Sequence, residues 1–370
     1  MTIVQNKLQI AANLKPVQFA DLQGWVEDDH RAALETFRLS CGEILAVGQA
    51  FKRGALFGGQ RIDWTAICEA SLHADNGREF FEENFLPFLV RDSDRPEGLF
   101  TGYFEPEALG SRTPTPEYNV PIYAKPSDLV ALDIVGQQVT GLKYGRYEGK
   151  VAKSYLTRKE IEQGGLSGRG LEIVWLKDWA DAFFVQVQGS GRVILEDGTA
   201  IRLAYAAKTG LPYTGIGGVL IDRGILTPQT NSMQAIRSWM SSHREAAREL
   251  MWLNKSFVFF REIEIADPKM GALGAQQVSL TPERSLAVDR SIWMFGTPLW
   301  IDTKLPMEAG GAPFRRLMVA QDTGSAIKGA ARGDVYWGWG ARAAQIAGHM
   351  KSAGTMTVLL PTPVVKSLGL

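Results

Sequence analysis

The apolar pattern changes character once along this chain, and that change restricts the folds open to it. From Phe19 to about Val90 the spacing is helical, with Leu34, Phe37, Cys41, Ile44 and Leu45 recurring at three and four residues. Further helices are predicted over residues 64–73 and 78–90. The pattern stops at the Asp-, Pro- and Gly-containing run 92–98, and a texture of aromatic residues, Pro and Gly begins at Leu99, which marks a candidate domain boundary. Residues 111–117 read as a surface loop by their prolines, and Thr157-Arg-Lys-Glu160 reads as a capping box opening a short helix that Gly164 and Gly165 close. Residues 183–188, 192–195 and 199–205 alternate or run β-branched between Gly-Ser-Gly and Glu-Asp-Gly, so they are predicted as hairpin-connected strands. One long helix is predicted over residues 231–253, with Met233, Ile236, Met240, Ala247 and Leu250 on one face, followed by a strand at 257–265. Strand candidates at 278–280, 285–288, 298–301, 317–320 and 355–360 make the C-terminal part an all-β segment of barrel type. The 39 glycines among 370 residues suit a turn-rich, strand-rich chain. The fold class is therefore mainly β with a helical N-terminal region, α+β overall.

Several functions are excluded early. Lysine plus arginine and aspartate plus glutamate both total 40, so the net charge is zero and a dedicated nucleic-acid binder is not expected. No apolar run approaches the roughly 20 residues of a membrane-spanning helix, and the length suits about two domains. The opening MTIVQNKLQI lacks the cationic start, apolar stretch and cleavage site of a secretory signal. His30, His73, His243 and His349 lie far from one another and from Cys41 and Cys68, without zinc-site spacing, so a metal enzyme is not expected. Cys41 and Cys68 each sit in a helical stretch and either face each other as a disulfide or remain buried thiols. The glycine clusters at 136–141 and 215–218 lack the context of phosphate or dinucleotide loops and read as turns. The ten tryptophans either stack on flat ligands such as sugars or pack in the core.

Candidate chemistry gathers near the C-terminus, where Asp289, Asp322 and Asp334 fall within about fifty residues. Asp289 and Asp322 directly follow strand candidates. Carboxylates at strand ends can converge on one pocket, and crowding of like charges raises one pKa, as a general acid working near neutral pH requires. Taken singly, each reads as a turn cap bonded to backbone amides. Three together, the last beside Tyr336, Trp337 and Trp339, favour a carbohydrate-processing cleft. Lys328 lies between two of them, either holding one ionised or solvated in a loop.

Read together, Val288-Asp-Arg-Ser291 with Gly296-Thr-Pro-Leu299, Gln321-Asp-Thr-Gly-Ser-Ala-Ile-Lys-Gly329 and Gly333-Asp-Val-Tyr-Trp-Gly338 resemble the three-aspartate domain of the membrane-bound lytic murein transglycosylase A family. Thr101-Gly-Tyr-Phe-Glu-Pro106, Gln188-Gly-Ser-Gly191 and Ile216-Gly-Gly-Val-Leu-Ile-Asp-Arg-Gly224 are similar to further signatures of that family, in the same order. The resemblance covers roughly residues 95–360. It implies a double-psi β-barrel built from residues 1–103 and 241–370, a second β domain inserted at 104–240, and a groove between them that holds a glycan strand.

The activity it implies is that of a peptidoglycan lytic exotransglycosylase. Such an enzyme cuts the β-1,4 bond between N-acetylmuramic acid and N-acetylglucosamine without water, leaving a 1,6-anhydromuramoyl end. Asp334 matches the family's catalytic aspartate, with Asp322 and Asp289 in support. The C6 hydroxyl of the same sugar would attack, so one carboxyl group suffices where ordinary glycosidases use two, and no metal or organic cofactor is needed. Substrate contacts are expected from Tyr103, Gln188, Ser190, Tyr205, Tyr213, Lys328 and Trp337, the rings for pyranose faces and the amide and hydroxyls for acetamido groups. Each aromatic reads equally well as core. The expected partners are peptidoglycan glycan strands and cell-wall-remodelling proteins, and the expected form is a monomer in the periplasm, associated with the outer membrane. The family's best-known members carry a signal and a lipidated cysteine that are not visible here. Two competing expectations are a non-catalytic wall-binding scaffold and a muramidase-type hydrolase.

Overall fold

The computed structural model describes residues 13–91, 97–264 and 270–370. The N-terminal decapeptide and most of the 92–98 boundary lie outside the described residues. The chain divides into two compact units, Met1–Phe104 with Lys269–Leu370, and Glu105–Pro268. The inserted unit runs past residue 240, because the helix Arg244–Leu253 and the strand Val258–Ile263 pack within it.

In the first unit, β1 (Asn13–Pro16), β2 (Phe85–Arg91) and β3 (Gly98–Glu105) precede the insertion. The inserted unit holds β4 (Glu107–Ser111), β5 (Val120–Tyr123), β6 (Val130–Ala131), β7 (Tyr144–Glu148), β8 (Val151–Lys153), β9 (Glu172–Leu176), β10 (Ser190–Leu195), β11 (Ala200–Lys208) and β12 (Val258–Ile263). The chain then returns to the first unit with β13 (Ser285–Val288), β14 (Pro298–Lys304), β15 (Pro313–Asp322), β16 (Arg332–Trp339) and β17 (Lys351–Pro361).

The first unit is built on an eight-stranded sheet of order β1-β2-β17-β14-β15-β13-β16-β3, and β17 also pairs with β3. The ladders from β17 through β14, β15, β13, β16 and β3 therefore return to their starting strand. The 11-residue β17 makes this possible by changing partners along its length. Lys351–Gly354 pair with β3, and the following residues pair with β14 on one edge and β2 on the other.

Helices cover part of this sheet. In His30–Leu45, Asp29 caps the N-terminus by accepting from the Ala32 amide, and Ala33, Leu34, Phe37, Cys41 and Ile44 turn inward. They pack with Trp64, Phe80, Phe81 and Phe85 and with Trp300, Leu317, Val319 and Leu359 of the sheet. A disulfide joins Cys41 to Cys68 of the helix Ile62–Ser71. The helix expected over 78–90 is corrected: it spans Gly77–Asn84 and gives way to β2 at Phe85, where Asn84 turns its amide back onto the Phe80 carbonyl.

The inserted unit contains a six-stranded sheet, β12-β11-β10-β4-β9-β5, and a small three-stranded one, β6-β7-β8. Residues 183–188, expected as a strand, belong to the helix Trp179–Gln188, started by Asp178 accepting from the Ala180 amide and stopped at Gly189 with φ 78°. The helix expected over 231–253 is two helices, Met233–Ser242 and Arg244–Leu253, broken at His243. The capping box at Thr157 and Glu160 forms as predicted. The C-terminal segment is not all β: it includes the helices Gly340–His349 and Thr362–Leu368, and residues 278–280 form only an isolated bridge. Helix and strand occur in similar amounts, so the chain is mixed α/β rather than mainly β. Among the described residues no helix is long and apolar enough to cross a membrane.

Candidate active site

The register of three strands brings two of the aspartates together. Ala287 of β13 pairs with Asp334 on one side and Asp322 on the other. Directly paired residues project to the same face, so both carboxylates flank the Ala287 methyl, with their Cα atoms about 10 Å apart across two strand spacings. A regular ladder would place Gln321 opposite Ala287. A bulge between Leu286 and Ala287 in the β13–β15 pairing advances β15 by one residue and presents Asp322 instead. Gln321 is fixed by other means: its amide donates to the Thr36 carbonyl at 3.0 Å and the Ser40 hydroxyl at 2.9 Å, while its oxygen accepts from Ser285 at 2.5 Å.

Tyr103 spans the face. Thr101 and Tyr103 share one side of β3, which neighbours β16. The Tyr103 ring packs with Ala287 and lies 5.3 Å from the Tyr336 ring, and its hydroxyl donates to Asp322 Oδ2 at 2.9 Å. Burial, with the Asp322 charge and this hydrogen bond added, holds the phenol well above its ordinary pKa, so it stays a donor.

The three aspartates differ in their surroundings. Burial pushes Asp322 up to about 6 although Oδ1 accepts from the Ala275 and Thr323 amides, both at 2.9 Å. The Asp334 charge adds to that rise. Asp334 is half-buried; burial raises its pKa against the pull of the Arg332 guanidinium and the Thr101 hydroxyl, which donates to Oδ1 at 2.5 Å. Asp289 runs the other way. Burial opposes its ionisation, but the Ser291 hydroxyl and amide, the Gly329 amide and the Lys328 charge outweigh it and lower the pKa. Asp289 ties the loop after β15 to the end of β13, an attachment reinforced by Thr323 donating to the Val288 carbonyl at 2.8 Å.

The remaining expected residues are divided between the two units. Lys328 is exposed and pairs with Asp289 at 3.6 Å. Trp337 alternates to the face of β16 opposite Asp334, where it is buried 5.1 Å from the Phe314 ring, and a side chain at Gly102 would strike its Nε1. That position removes Trp337 from the aspartate face and leaves it a core residue. In the inserted unit, Gln188 ends the helix Trp179–Gln188, Ser190 is buried at the start of β10, and Tyr205 and Tyr213 are exposed. Sequence reasoning missed Thr101 and Arg332. Thr101 opens the Thr101–Pro106 motif, but nothing local marks it as a partner of a residue more than 200 positions away.

Known proteins resemble this chain in sequence and in fold. Residues 99–261 match the MltA specific insert domain, and residues 284–360 match the 3D domain. The chain is 38% identical over 314 residues to the membrane-bound lytic murein transglycosylase A of Escherichia coli K12, covering 83% of this chain and 78% of that one. The Vibrio cholerae protein of the same name is also 38% identical, over 69% of this chain, and the match spans 63% of that relative. A crystal structure of a membrane-bound lytic murein transglycosylase from Agrobacterium tumefaciens superposes with TM-score 0.86 at 35% identity, covering 96% of this chain and 99% of that one. E. coli MltA with bound chitohexaose superposes with TM-score 0.66 at 30% identity, covering 94% and 91%. The chain belongs to the membrane-bound lytic murein transglycosylase A family.

Proposed function

We propose that this chain is a peptidoglycan lytic transglycosylase that cleaves the bond between N-acetylmuramic acid and N-acetylglucosamine without water, with Asp334 as its single catalytic carboxyl group. One observation carries the assignment: among the described residues, Asp334 Oδ2 is the one aspartate oxygen of the three left without a protein partner. A general acid needs a pKa raised toward neutrality and an oxygen free to reach substrate, and Asp334 combines them. Asp334 gives its proton to the glycosidic oxygen as the bond from C1 of the muramic acid breaks. The C6 oxygen of that sugar then bonds to C1, and its proton passes to the Asp334 carboxylate, which restores the acid. The nucleophile is held within the substrate, so a second carboxylate is unnecessary.

In this reading the closed circuit of strands is a barrel of the double-psi kind and the glycan lies over the β13–β16 face. Tyr205 and Tyr213 supply exposed rings for pyranose faces, while Gln188 and Ser190 bond acetamido groups. The enzyme acts in the periplasm, in association with the outer membrane. The names of its relatives and the Cys41–Cys68 disulfide, which an oxidising compartment favours, support that location. The test is mass spectrometry of glycan ends after digestion of purified peptidoglycan. Wild type is expected to release anhydro-muropeptides, and Asp334→Asn, folded by circular dichroism, to release none. Reducing ends would make the protein a hydrolase, and binding without any product would make it a scaffold.

A further inference from the structure

Among the described residues Asp334 Oδ1 accepts a single hydrogen bond, from Thr101, and the direction of that bond is fixed by a third residue. The Arg332 Nη2 lies 2.7 Å from the Thr101 hydroxyl oxygen. A guanidinium can only donate, so the threonine oxygen is the acceptor in that contact, and its own proton is left to point at Asp334. Arg332 is itself held in place by the Leu99 and Gly333 carbonyls, one on β3 and one on β16. The chain of donors therefore runs one way, from Arg332 to Thr101 to Asp334 Oδ1.

We propose that Thr101 is the positioning residue of the catalytic acid: its hydroxyl, turned by Arg332, reserves Oδ1 as a permanent acceptor, so that the transferable proton resides on Oδ2 alone. This deepens the transglycosylase reading above and rests on it. An acid that can hold its proton on either oxygen presents it to the glycosidic oxygen only part of the time and must rotate between the two steps. With Oδ1 occupied, the oxygen that gives the proton is also the one that takes the C6 hydroxyl proton. The same bond, made to the charged form, restrains the rise in pKa that burial causes.

The test compares Thr101→Val, which keeps the shape but removes the hydroxyl, with Thr101→Ser, which keeps the hydroxyl. In Thr101→Val the carboxylate loses a donor, so its pKa rises and the alkaline limb of the rate profile moves up by about one pH unit. Maximal turnover falls about tenfold as the acid loses its orientation, and Thr101→Ser restores both. A threonine needed only for folding would lower turnover without moving the limb. A folded Thr101→Val with wild-type limb and turnover, or a Thr101→Ser that restores neither, overturns the proposal. Atomic-resolution crystallography of the unaltered protein below the pKa of the acid gives a second measurement that needs no variant. The Cγ–Oδ2 bond is expected to be the longer, protonated one, and a proton on Oδ1 would overturn the assignment. Activity retained by Asp334→Asn would instead defeat the underlying reading of Asp334, so the two failures are distinguishable.

Discussion

Replacing Asp322 by Asn is expected to stabilise the protein at neutral pH. Burial raises this carboxyl from 3.8 to about 6, a rise that corresponds to about 3 kcal/mol between its protonation states. The native state binds the proton more tightly than the unfolded chain, so the benefit is complete below about pH 4 and is lost as pH rises through 6. Above pH 6 the folded protein carries an ionised group that its surroundings penalise. An asparagine keeps an oxygen for the Ala275 and Thr323 amides, and the Tyr103 hydroxyl can turn to accept from its NH2 group, but it does not ionise. Asp322→Asn is therefore expected to gain up to about 3 kcal/mol at pH 7, with little gain at pH 4, and to raise Tm by roughly 6–12 °C at neutral pH. Urea titrations of both proteins at pH 4, 5, 6 and 7 would measure this directly. A variant no more stable than wild type at pH 7, or a difference that stays constant across the series, would refute the linkage.

Two further perturbations follow from contacts outside the site. Reducing or deleting the Cys41–Cys68 disulfide, whose cysteines lie 27 residues apart, should lower stability by about 3.5 kcal/mol on the chain-entropy account; equal urea midpoints with and without reductant would contradict this. Arg202→Met leaves Glu105, which is fully buried and bonded to that guanidinium at 2.8 and 3.1 Å, without its partner. The expected cost is about 3–5 kcal/mol at neutral pH. Burial already raises the Glu105 pKa, so the loss should shrink toward acid pH, where the carboxyl is protonated. Adding Glu105→Gln should recover most of it, and a double variant as unstable as the single one would refute the pairing argument.

Local signals in the sequence located elements well where one cap or one period decided the outcome. The helix His30–Leu45, the capping box at Thr157 and the strands around 192–195, 285–288 and 298–301 stand where the pattern puts them. The pattern misled where burial is two-sided. Phe183, Phe184 and Val185 are all buried in a helix with one core on either side, so apolar residues run on consecutively and imitate a strand. The reverse error occurred at 85–91, where helical spacing from the preceding residues carries past Asn84 into β2. The sequence of β16 does not read as a strand because two glycines and an aspartate dilute its apolar pattern, yet this strand carries Asp334.

The three aspartates look alike in sequence, each flanked by at least one polar or small residue. Their chemistry diverges through the number and aim of the donors that reach them. Asp289 receives hydrogen bonds on both oxygens and a lysine besides, which fits it to hold a corner and leaves it a poor acid at neutral pH. Asp322 has a raised pKa, but both of its oxygens are bonded, and the phenol on Oδ2 stands where a substrate atom would have to approach. Among the described residues Asp334 receives one donor on one oxygen and none on the other, and its pKa remains raised by burial. None of these donors is a sequence neighbour of Asp334: the hydroxyl comes from β3, across the whole inserted unit, and Tyr103 reaches Asp322 by the same route. In the proposed mechanism the motif near Thr101 and the motif near Asp334 are thus two halves of one acid, joined only when β3 and β16 pair.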